Sequence, residues 1–224
     1  MEHNANQITL RGNLSAPPTF SHENHGKQFY RFFLEVPRLS GAADTLPVIA
    51  EASLLESAGI DPGGMLTVTG QIRSHNVRTD GRRHLMIFVF ASALTCEDGE
   101  ALNDAVLEGF LCREPIYRRT PLGREICDVM LAVPRAFQRA DYLPCILWGR
   151  TAQEASRCHT RDKIGITGRI AEPRLHETDR GRRGGTNGLR NFRPHCPDSH
   201  GFTVTACLFL LQNYGFRGIL GQNR

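Results

Sequence analysis

The sequence has no C-x-x-C pair, although it contains seven cysteines. This absence argues against a zinc ribbon and against a thioredoxin-like redox site, since both need two cysteines at that spacing. The cysteines are also odd in number and too sparse for a disulfide scaffold, which favours a reducing compartment. The sequence therefore predicts a fold that depends on neither disulfides nor structural zinc.

Long hydrophobic runs are missing as well. The two longest, LMIFVFASAL and FTVTACLFLL, are shorter than the roughly 20 residues that a membrane helix needs. The N-terminus, MEHNANQITL, lacks the apolar segment of a signal peptide. We therefore expect a soluble, cytoplasmic protein with no membrane partner.

Signatures of catalysis are absent too. The chain has no phosphate-binding G-x-x-x-x-G-K-[ST] loop, no G-x-S-x-G nucleophile elbow and no H-x-E deaminase motif. The cluster HCPDSH at 195–200 brings His and Cys together, but its spacing matches no standard zinc site. We expect no enzyme activity, no metal and no cofactor.

The formal net charge of +4 is unevenly distributed. Residues 1–94 carry 8 Lys/Arg and 8 Asp/Glu, whereas TCEDGEALND at 95–104 carries four acids and no base. Residues 105–170 carry 11 bases against 7 acids, and residues 171–224 carry 8 against 4. A basic excess in the second half suggests a polyanionic partner.

What the chain does contain is an internal repeat. VPRLSGAADTLPVIAEA begins at Val36, and VPRAFQRADYLPCILWG begins 97 residues later, at Val133. A period near 97 indicates duplicated domains rather than a solenoid. The residues identical at this offset include Gly12 and Gly109, Pro18 and Pro115, Gly26 and Gly123, Val36 and Val133, Pro37 and Pro134, Arg38 and Arg135, Asp44 and Asp141, Leu46 and Leu143, and Pro47 and Pro144.

Each copy alternates apolar and polar residues, as a strand with one buried face does. Cys127, Val129 and Leu131 alternate with more polar neighbours, and KIGITGRI at 163–170 repeats the pattern. One short helix, TAQEASRC, lies between these strands, and its Thr151 and Glu154 have the spacing of a capping box. About five strands with one small helix before the fourth are the inventory of an OB-type barrel.

We therefore predict a mainly β protein with two tandem five-stranded Greek-key OB barrels. Domain 1 is expected at 1–94, an acidic linker at 95–104, domain 2 at 105–170 and an irregular tail at 171–224. GFTVTACLFLLQ at 201–212 is left open as a strand that closes the second barrel.

The tail allows a second interpretation. Codons for AEPRLHETDRGRRGGTNGLRNF can be chosen so that the frame one nucleotide later encodes QSRDYMKRTEDGEVERTAYEIS. That string has the strand, Asp-Gly turn and strand of IRSHNVRTDGRRHLMIFV in copy one. Our hypothesis is that residues from about Ala171 onward are translated out of the ancestral frame, which makes the second C-terminal hairpin aberrant.

The segments VLEGFLCREPIYRRTPLGREICDVMLAVPRAF, DYLPCILWGRTAQEA and DKIGITGRI resemble the bacterial and phage single-stranded DNA-binding protein family. The chain looks like a tandem two-domain variant of that family. The resemblance implies sequence-tolerant binding of single-stranded DNA in replication, recombination or repair. The positions that carry it are Pro115, Thr120, Pro121, Gly123, Ala132, Val133, Arg135, Trp148, Gly149, Ala152 and Gly168.

The resemblance also implies partners. Family chains with one OB domain assemble four domains around DNA, so a two-domain chain is expected to form a homodimer. The family's acidic tail, which recruits replication proteins, has no counterpart in GFRGILGQNR, and recruitment by that route is therefore in doubt.

The candidate binding residues follow from stacking and charge. Tyr142 and Trp148 share a face of one predicted strand, and the resemblance places both at DNA-stacking positions; alternatively, Trp148 packs under the helix that follows it. Phe137 lies in a loop at the edge of the expected groove. The candidate phosphate contacts are Arg124, Arg135, Arg139, Arg150 and Arg169, with Arg73 and Arg78 in copy one.

The two copies have diverged at these positions. Thr45 and Glu51 of copy one stand where copy two has Tyr142 and Trp148. We therefore expect domain 1 to act mainly in scaffolding or assembly, with DNA contact through its hairpin left open. Two other functions stay open for the whole chain, an OB-fold protein-interaction or primosome assembly module and an RNA-binding OB protein.

Overall fold

The computed structural model describes residues 6–60, 63–79, 82–171, 202–205 and 208–209. Strands dominate this part of the chain, and the two helices within it have seven and six residues. Neither of those helices is long and apolar enough to cross a membrane. The prediction of a mainly β fold is therefore confirmed.

The first barrel closes in the order expected of an OB fold. Its central strand β1 pairs antiparallel with β3 and with β5, and β3 pairs with β4. The barrel closes where β4 runs parallel to β6, with Val48 opposite Val89. Its elements are β1 (Asn6–Leu14), β2 (Thr19–Asn24), β3 (Lys27–Pro37), β4 (Ala43–Glu51), α1 (Ala52–Ala58), β5 (Met65–Thr79) and β6 (Arg82–Cys96).

The second barrel repeats this plan. Its strand β7 pairs with β9 and β11, as β1 does with β3 and β5, and β9 pairs with β10 along its full length. Its elements are β7 (Leu102–Leu111), β8 (Ile116–Arg119), β9 (Glu125–Arg135), β10 (Arg139–Trp148), α2 (Arg150–Ala155), β11 (Lys163–Gly168) and β12 (Ile170–Ala171).

The barrels differ at their C-terminal ends. In the first, β5 and β6 form a long antiparallel hairpin. In the second, β13 (Phe202–Thr205) runs parallel to β11, and β14 (Leu208–Phe209) runs parallel to β12. These two strands lie in the region that the sequence left open as a closing strand. Beyond Ala171, the segment on which the frame hypothesis depends lies outside the described residues, and so does the HCPDSH cluster.

The two barrels share one sheet. Strand β1 pairs antiparallel with β7, from Asn6 opposite Leu107 to Arg11 opposite Leu102. Because β1 and β7 are the same strand of the repeat, this pairing relates the domains by an approximate twofold axis. The chain is therefore a covalently linked pair of barrels joined through equivalent strands.

The duplication is visible in atomic contacts. The Asn6 side-chain amide donates to the Ile72 carbonyl (2.7 Å) and accepts from the Ile72 amide (2.8 Å). Asn103 makes the same two bonds to Ile170, at 2.7 and 2.9 Å. In each barrel the side-chain amide thus adds one more pair of hydrogen bonds between the central strand and its neighbour.

The connection between the barrels is shorter than the predicted linker. Strand β6 runs to Cys96 and β7 begins at Leu102, so residues 97–101 alone connect them. The acidic stretch lies against a cation, because the Glu97 carboxylate is 3.8 Å from the Arg11 guanidinium.

The predicted capping box is wrong. Gly149, with φ 57°, precedes the first turn of α2 and takes the N-cap position, so Thr151 lies inside the helix. The Thr151 hydroxyl donates instead to the Trp148 carbonyl (2.8 Å), and the Glu154 carboxylate accepts from Arg150 (3.1 Å).

Candidate nucleic-acid interface

The outer face of β10 carries the two candidate stacking residues. Tyr142 and Trp148 are partly exposed, while Leu143, Cys145 and Leu147 between them are at most 1% exposed and fill the barrel. The period-2 alternation of a strand produces this division. Burial also raises the pKa of the Tyr142 phenol above its ordinary value.

This face is three strands wide at Trp148. Ile126 of β9 is paired with Trp148 on one side and with Arg118 of β8 on the other. Arg118 and Trp148 therefore belong to one cross-strand row, about 10 Å apart at the backbone, which is two strand spacings. Ile126 between them is only 2% exposed. The Arg118 guanidinium donates to the Asp128 carboxylate (2.9 Å) on the same face.

Sequence reasoning missed Arg118. Its signal was the YRR run in a short exposed strand, but only the strand register reveals that the run lies beside Trp148.

Trp148 is also tied to the helix that follows it. The Thr151 hydroxyl donates to its carbonyl, while Ala152 and Ala155 are the helix residues that pack into the barrel. The indole itself stays half-buried. The hydrogen bond from Thr151 anchors the backbone of Trp148, and for its ring both stacking on DNA and packing under α2 stay predictions.

Phe137 lies at the tip of the turn between β9 and β10 and is 93% exposed. Phe137 and Gln138 both have positive φ, 60° and 54°, which is uncommon for residues other than glycine. The pairing of Arg135 with Arg139 closes this turn. An apolar ring is thus presented to solvent between two arginines.

The candidate cations fall into two groups. One group is exposed: Arg78, Arg124, Arg139 and Arg150. The other group holds carboxylates in ion pairs between or within the barrels: Arg73, Arg135 and Arg169. For all seven, phosphate contact stays a prediction, but only the exposed group has its charge directed mainly to solvent.

Asp141 is the centre of one ion-pair cluster. Its side chain is fully buried and lies 3.2 Å from the Arg73 guanidinium and 3.4 Å from that of Arg135. The Ser74 backbone amide donates to the same carboxylate (2.8 Å). Arg73 and Ser74 belong to β5 of the first barrel, so this cluster spans the two domains.

Asp44 is the centre of the matching cluster. It accepts from Arg38 of its own barrel (2.7 Å) and lies 3.4 Å from Arg169 of the other. Asp44 and Asp141 are one position of the repeat, and so are Arg38 and Arg135. The presence of the same residues in both copies indicated a shared role. The sequence did not reveal that each carboxylate also pairs with an arginine of the opposite barrel.

The first barrel presents a different surface at the equivalent positions. Glu51, in the place of Trp148, accepts from the Lys27 ammonium (3.0 Å), and this bond lowers the pKa of the carboxyl group. Beside it, Phe29 packs between His22, whose ring stacks at 4.9 Å, and Phe90, at 5.7 Å. Sequence reasoning missed this aromatic cluster because its members come from three strands.

Metal-binding geometry is not found in the described ranges, where no group of three or more His, Cys, Asp or Glu side chains is placed to hold an ion.

Comparison with known proteins identifies relatives of the second barrel. Residues 102–186 match the family model described as the single-strand binding protein family. The chain is 36% identical over 86 residues to single-stranded DNA-binding protein B of Bacillus subtilis, covering 35% of this chain and 75% of that protein. It is 34% identical over 89 residues to single-stranded DNA-binding protein 1 of Lactococcus lactis, covering 37% of this chain and 59% of that protein.

A solved structure extends the likeness across both barrels. The wild-type single-stranded DNA binding protein from Thermus aquaticus superposes with a TM-score of 0.63 at 26% identity. The match covers 73% of this chain and 84% of that chain, a larger share than either barrel alone.

Proposed function

The chain belongs to the single-strand binding protein family, and we propose from this that it binds single-stranded DNA with little dependence on base sequence. The family membership confirms the resemblance found in residues 106–170. The observation that carries the proposal is the outer face of β10, where Tyr142 and Trp148 lie within the segment that matches the family.

Binding would combine stacking with phosphate contacts. Bases stack on aromatic side chains without regard to their identity, since every base has a π-face, and each is worth about 1–3 kcal/mol. Tyr142 and Trp148 supply rings on the outer face of β10, and the exposed Phe137 supplies one at the turn that precedes this strand. Arginines around this face supply charge for the backbone, and each neutralised phosphate releases counterions. They are Arg118, Arg124, Arg139 and Arg150.

The role that we propose is protection and organisation of single strands in replication, recombination or repair, without catalysis. We further propose that two chains form a homodimer, because each chain already pairs two barrels and two chains would supply the four domains that the single-domain family chains assemble around DNA. The cytoplasm is the compartment that fits this role. Recruitment of other replication proteins stays open.

A salt titration tests the proposal. Anisotropy of labelled oligo-dT, oligo-rU and duplex DNA is measured against the full chain from about 50 to 200 mM salt. We expect oligo-dT to bind most tightly and its affinity to fall linearly on a log–log plot, because counterion release drives binding. A folded protein that fails to bind oligo-dT at about 50 mM salt contradicts the proposal, and tighter binding of oligo-rU redirects it to RNA.

A further inference from the structure

The β5–β6 hairpin of the first barrel reaches the candidate stacking face of the second. The Tyr142 backbone amide donates to the Ser74 hydroxyl (2.8 Å). The neighbouring Asp141 carboxylate accepts from the Ser74 amide (2.8 Å) and pairs with Arg73 (3.2 Å). Two consecutive residues of β10 are therefore held by two consecutive residues of β5.

These contacts lie along one edge of β10. The other edge is occupied by β9, with Tyr142 opposite Ala132. Because the Tyr142 amide donates to Ser74, it points away from β9 and toward the hairpin. The hairpin thus lies beside the strand that presents the Tyr142 ring, rather than behind it.

The hairpin extends beyond this contact and carries charge. Side chains two residues apart on a strand point to the same side, so Ser74, Asn76 and Arg78 share a face of β5. Four residues along a strand span roughly 13 Å. Asn76 and Arg78 are both exposed, so polar and cationic side chains continue from the Tyr142 contact into solvent.

From this geometry we propose that the β5–β6 hairpin of the first barrel forms one wall of the single-strand groove on the second barrel. Ser74 is a positioning residue for Tyr142, and Arg78 contacts a phosphate of the strand whose base stacks on that ring. The inference rests on the proposed function. It gives domain 1 a part in binding although Thr45 and Glu51 replace its own stacking residues.

The arrangement is not reciprocal in the described part of the chain. The second barrel reaches Asp44 with Arg169, but β12 ends at Ala171, before a counterpart of Ser74 or Arg78. Within the described residues, the hairpin of domain 1 thus contacts the barrel that carries Tyr142 and Trp148.

The charge of the wall is tested with Arg78→Ala, measured against Arg157→Ala. Arg157 is also exposed but follows α2, outside the hairpin, so its replacement is a matched loss of one charge. We expect Arg78→Ala to reduce the salt slope for oligo-dT by about 0.7, the value for one phosphate of a single strand. Equal slopes for the two variants overturn the assignment of Arg78.

The positioning role is tested with Ser74→Ala, Ser74→Thr and Tyr142→Ala. We expect Ser74→Ala to weaken oligo-dT binding by about two- to tenfold, the range for one hydrogen bond, and Ser74→Thr, which keeps the hydroxyl, to restore it. In the Tyr142→Ala background the Ser74→Ala effect should disappear. An effect that persists there shows a merely structural role and overturns the inference. If the wild-type chain does not bind oligo-dT at all, the proposed function itself fails.

Discussion

At the scale of single residues, two buried carboxylates determine which arginines are held in ion pairs between and within the barrels. Asp44 is 1% exposed and Asp141 fully buried, and each binds one arginine from its own barrel and one from the other. Burying a carboxylate is unfavourable unless it is paired and hydrogen-bonded. Arg73 and Arg169 therefore join the two barrels, and Arg135 pairs within the second barrel, so we expect phosphate contacts mainly from the exposed arginines.

Replacing Asp141 should destabilise the fold strongly. Asp141→Asn leaves the half-buried Arg73 and Arg135 without their carboxylate, and removal of one partner from a buried pair costs about 3 kcal/mol or more. Chemical denaturation measures the free energy of unfolding. Asp128→Asn is the control, because Asp128 pairs with Arg118 at the surface and its loss should cost less than about 1 kcal/mol. If Asp141→Asn lowers the free energy of unfolding no more than Asp128→Asn does, the Asp141 cluster does not stabilise the fold more than a surface ion pair.

Trp148 should report binding directly, because it is the one tryptophan of the chain. We expect its fluorescence to be quenched by oligo-dT, and Trp148→Ala to weaken binding by about 1–3 kcal/mol through loss of one stacked base. Glu51→Ala, at the equivalent position of the first barrel, should leave affinity unchanged or raise it slightly. An unquenched Trp148 in a saturated complex assigns the ring to packing against α2 instead.

The sequence predicts the orientation of a side chain along a strand better than it predicts the partner of that side chain. The common face of Tyr142 and Trp148 was predictable, because alternation along a strand is a local property. The partners of Arg73 and Arg169 were not, since each pairs with a carboxylate 68 or 125 positions away. Arg118 was missed for the same reason, as it becomes a neighbour of Trp148 only through the register of three strands.

At the scale of elements, one glycine in each barrel permits the central strand to cross its neighbour closely. A Cβ on Gly12 would lie 2.3 Å from the Glu35 carbonyl oxygen, and a Cβ on Gly109 would lie 2.4 Å from that of Ala132. Both distances are far below van der Waals contact, and both obstacles are backbone atoms. The repeat thus keeps glycine here because the strands leave no room for a side chain.

Gly109→Ala should therefore destabilise the protein. The strand pair must separate to admit the methyl group, and such overpacking typically costs about 1–3 kcal/mol. Gly99→Ala is the matched control, because its Cβ would meet the flexible end of the Arg11 side chain, which can move. Thermal unfolding compares the two variants. If Gly99→Ala lowers the midpoint as much as Gly109→Ala does, close strand approach is not the reason for the glycine.

Element types were more predictable than element ends. The strands and the short helix follow from apolar periodicity, which burial enforces along the whole element. The start of α2 was misplaced because the backbone conformation of Gly149 decides it. The linker was overestimated because β6 extends over its first two residues and β7 begins within it, at Leu102. The Glu97 contact with Arg11 shows that this acidity has a local partner.

At the scale of the whole molecule, the pairing of β1 with β7 makes one structure of two barrels. The sequence repeat predicted two domains, and a repeat alone is compatible with independent units on a linker. The shared sheet and the two carboxylate clusters depend on long-range contacts, which the sequence repeat does not reveal. Their common consequence is that neither barrel should unfold without weakening the other.

This coupling can be measured with a change in one barrel and a probe in the other. Gly12→Ala strains the first barrel, and the fluorescence of Trp148 reports on the second. In a cooperative unit, the loss of stability caused by Gly12→Ala lowers the midpoint seen at Trp148 about as much as Gly109→Ala does within the second barrel itself. Calorimetry should accordingly show one transition for the full chain. If Gly12→Ala leaves the unfolding midpoint at Trp148 unchanged from the wild type, the barrels unfold separately. The carboxylate clusters would then fix the relative orientation of the two barrels without coupling their stabilities.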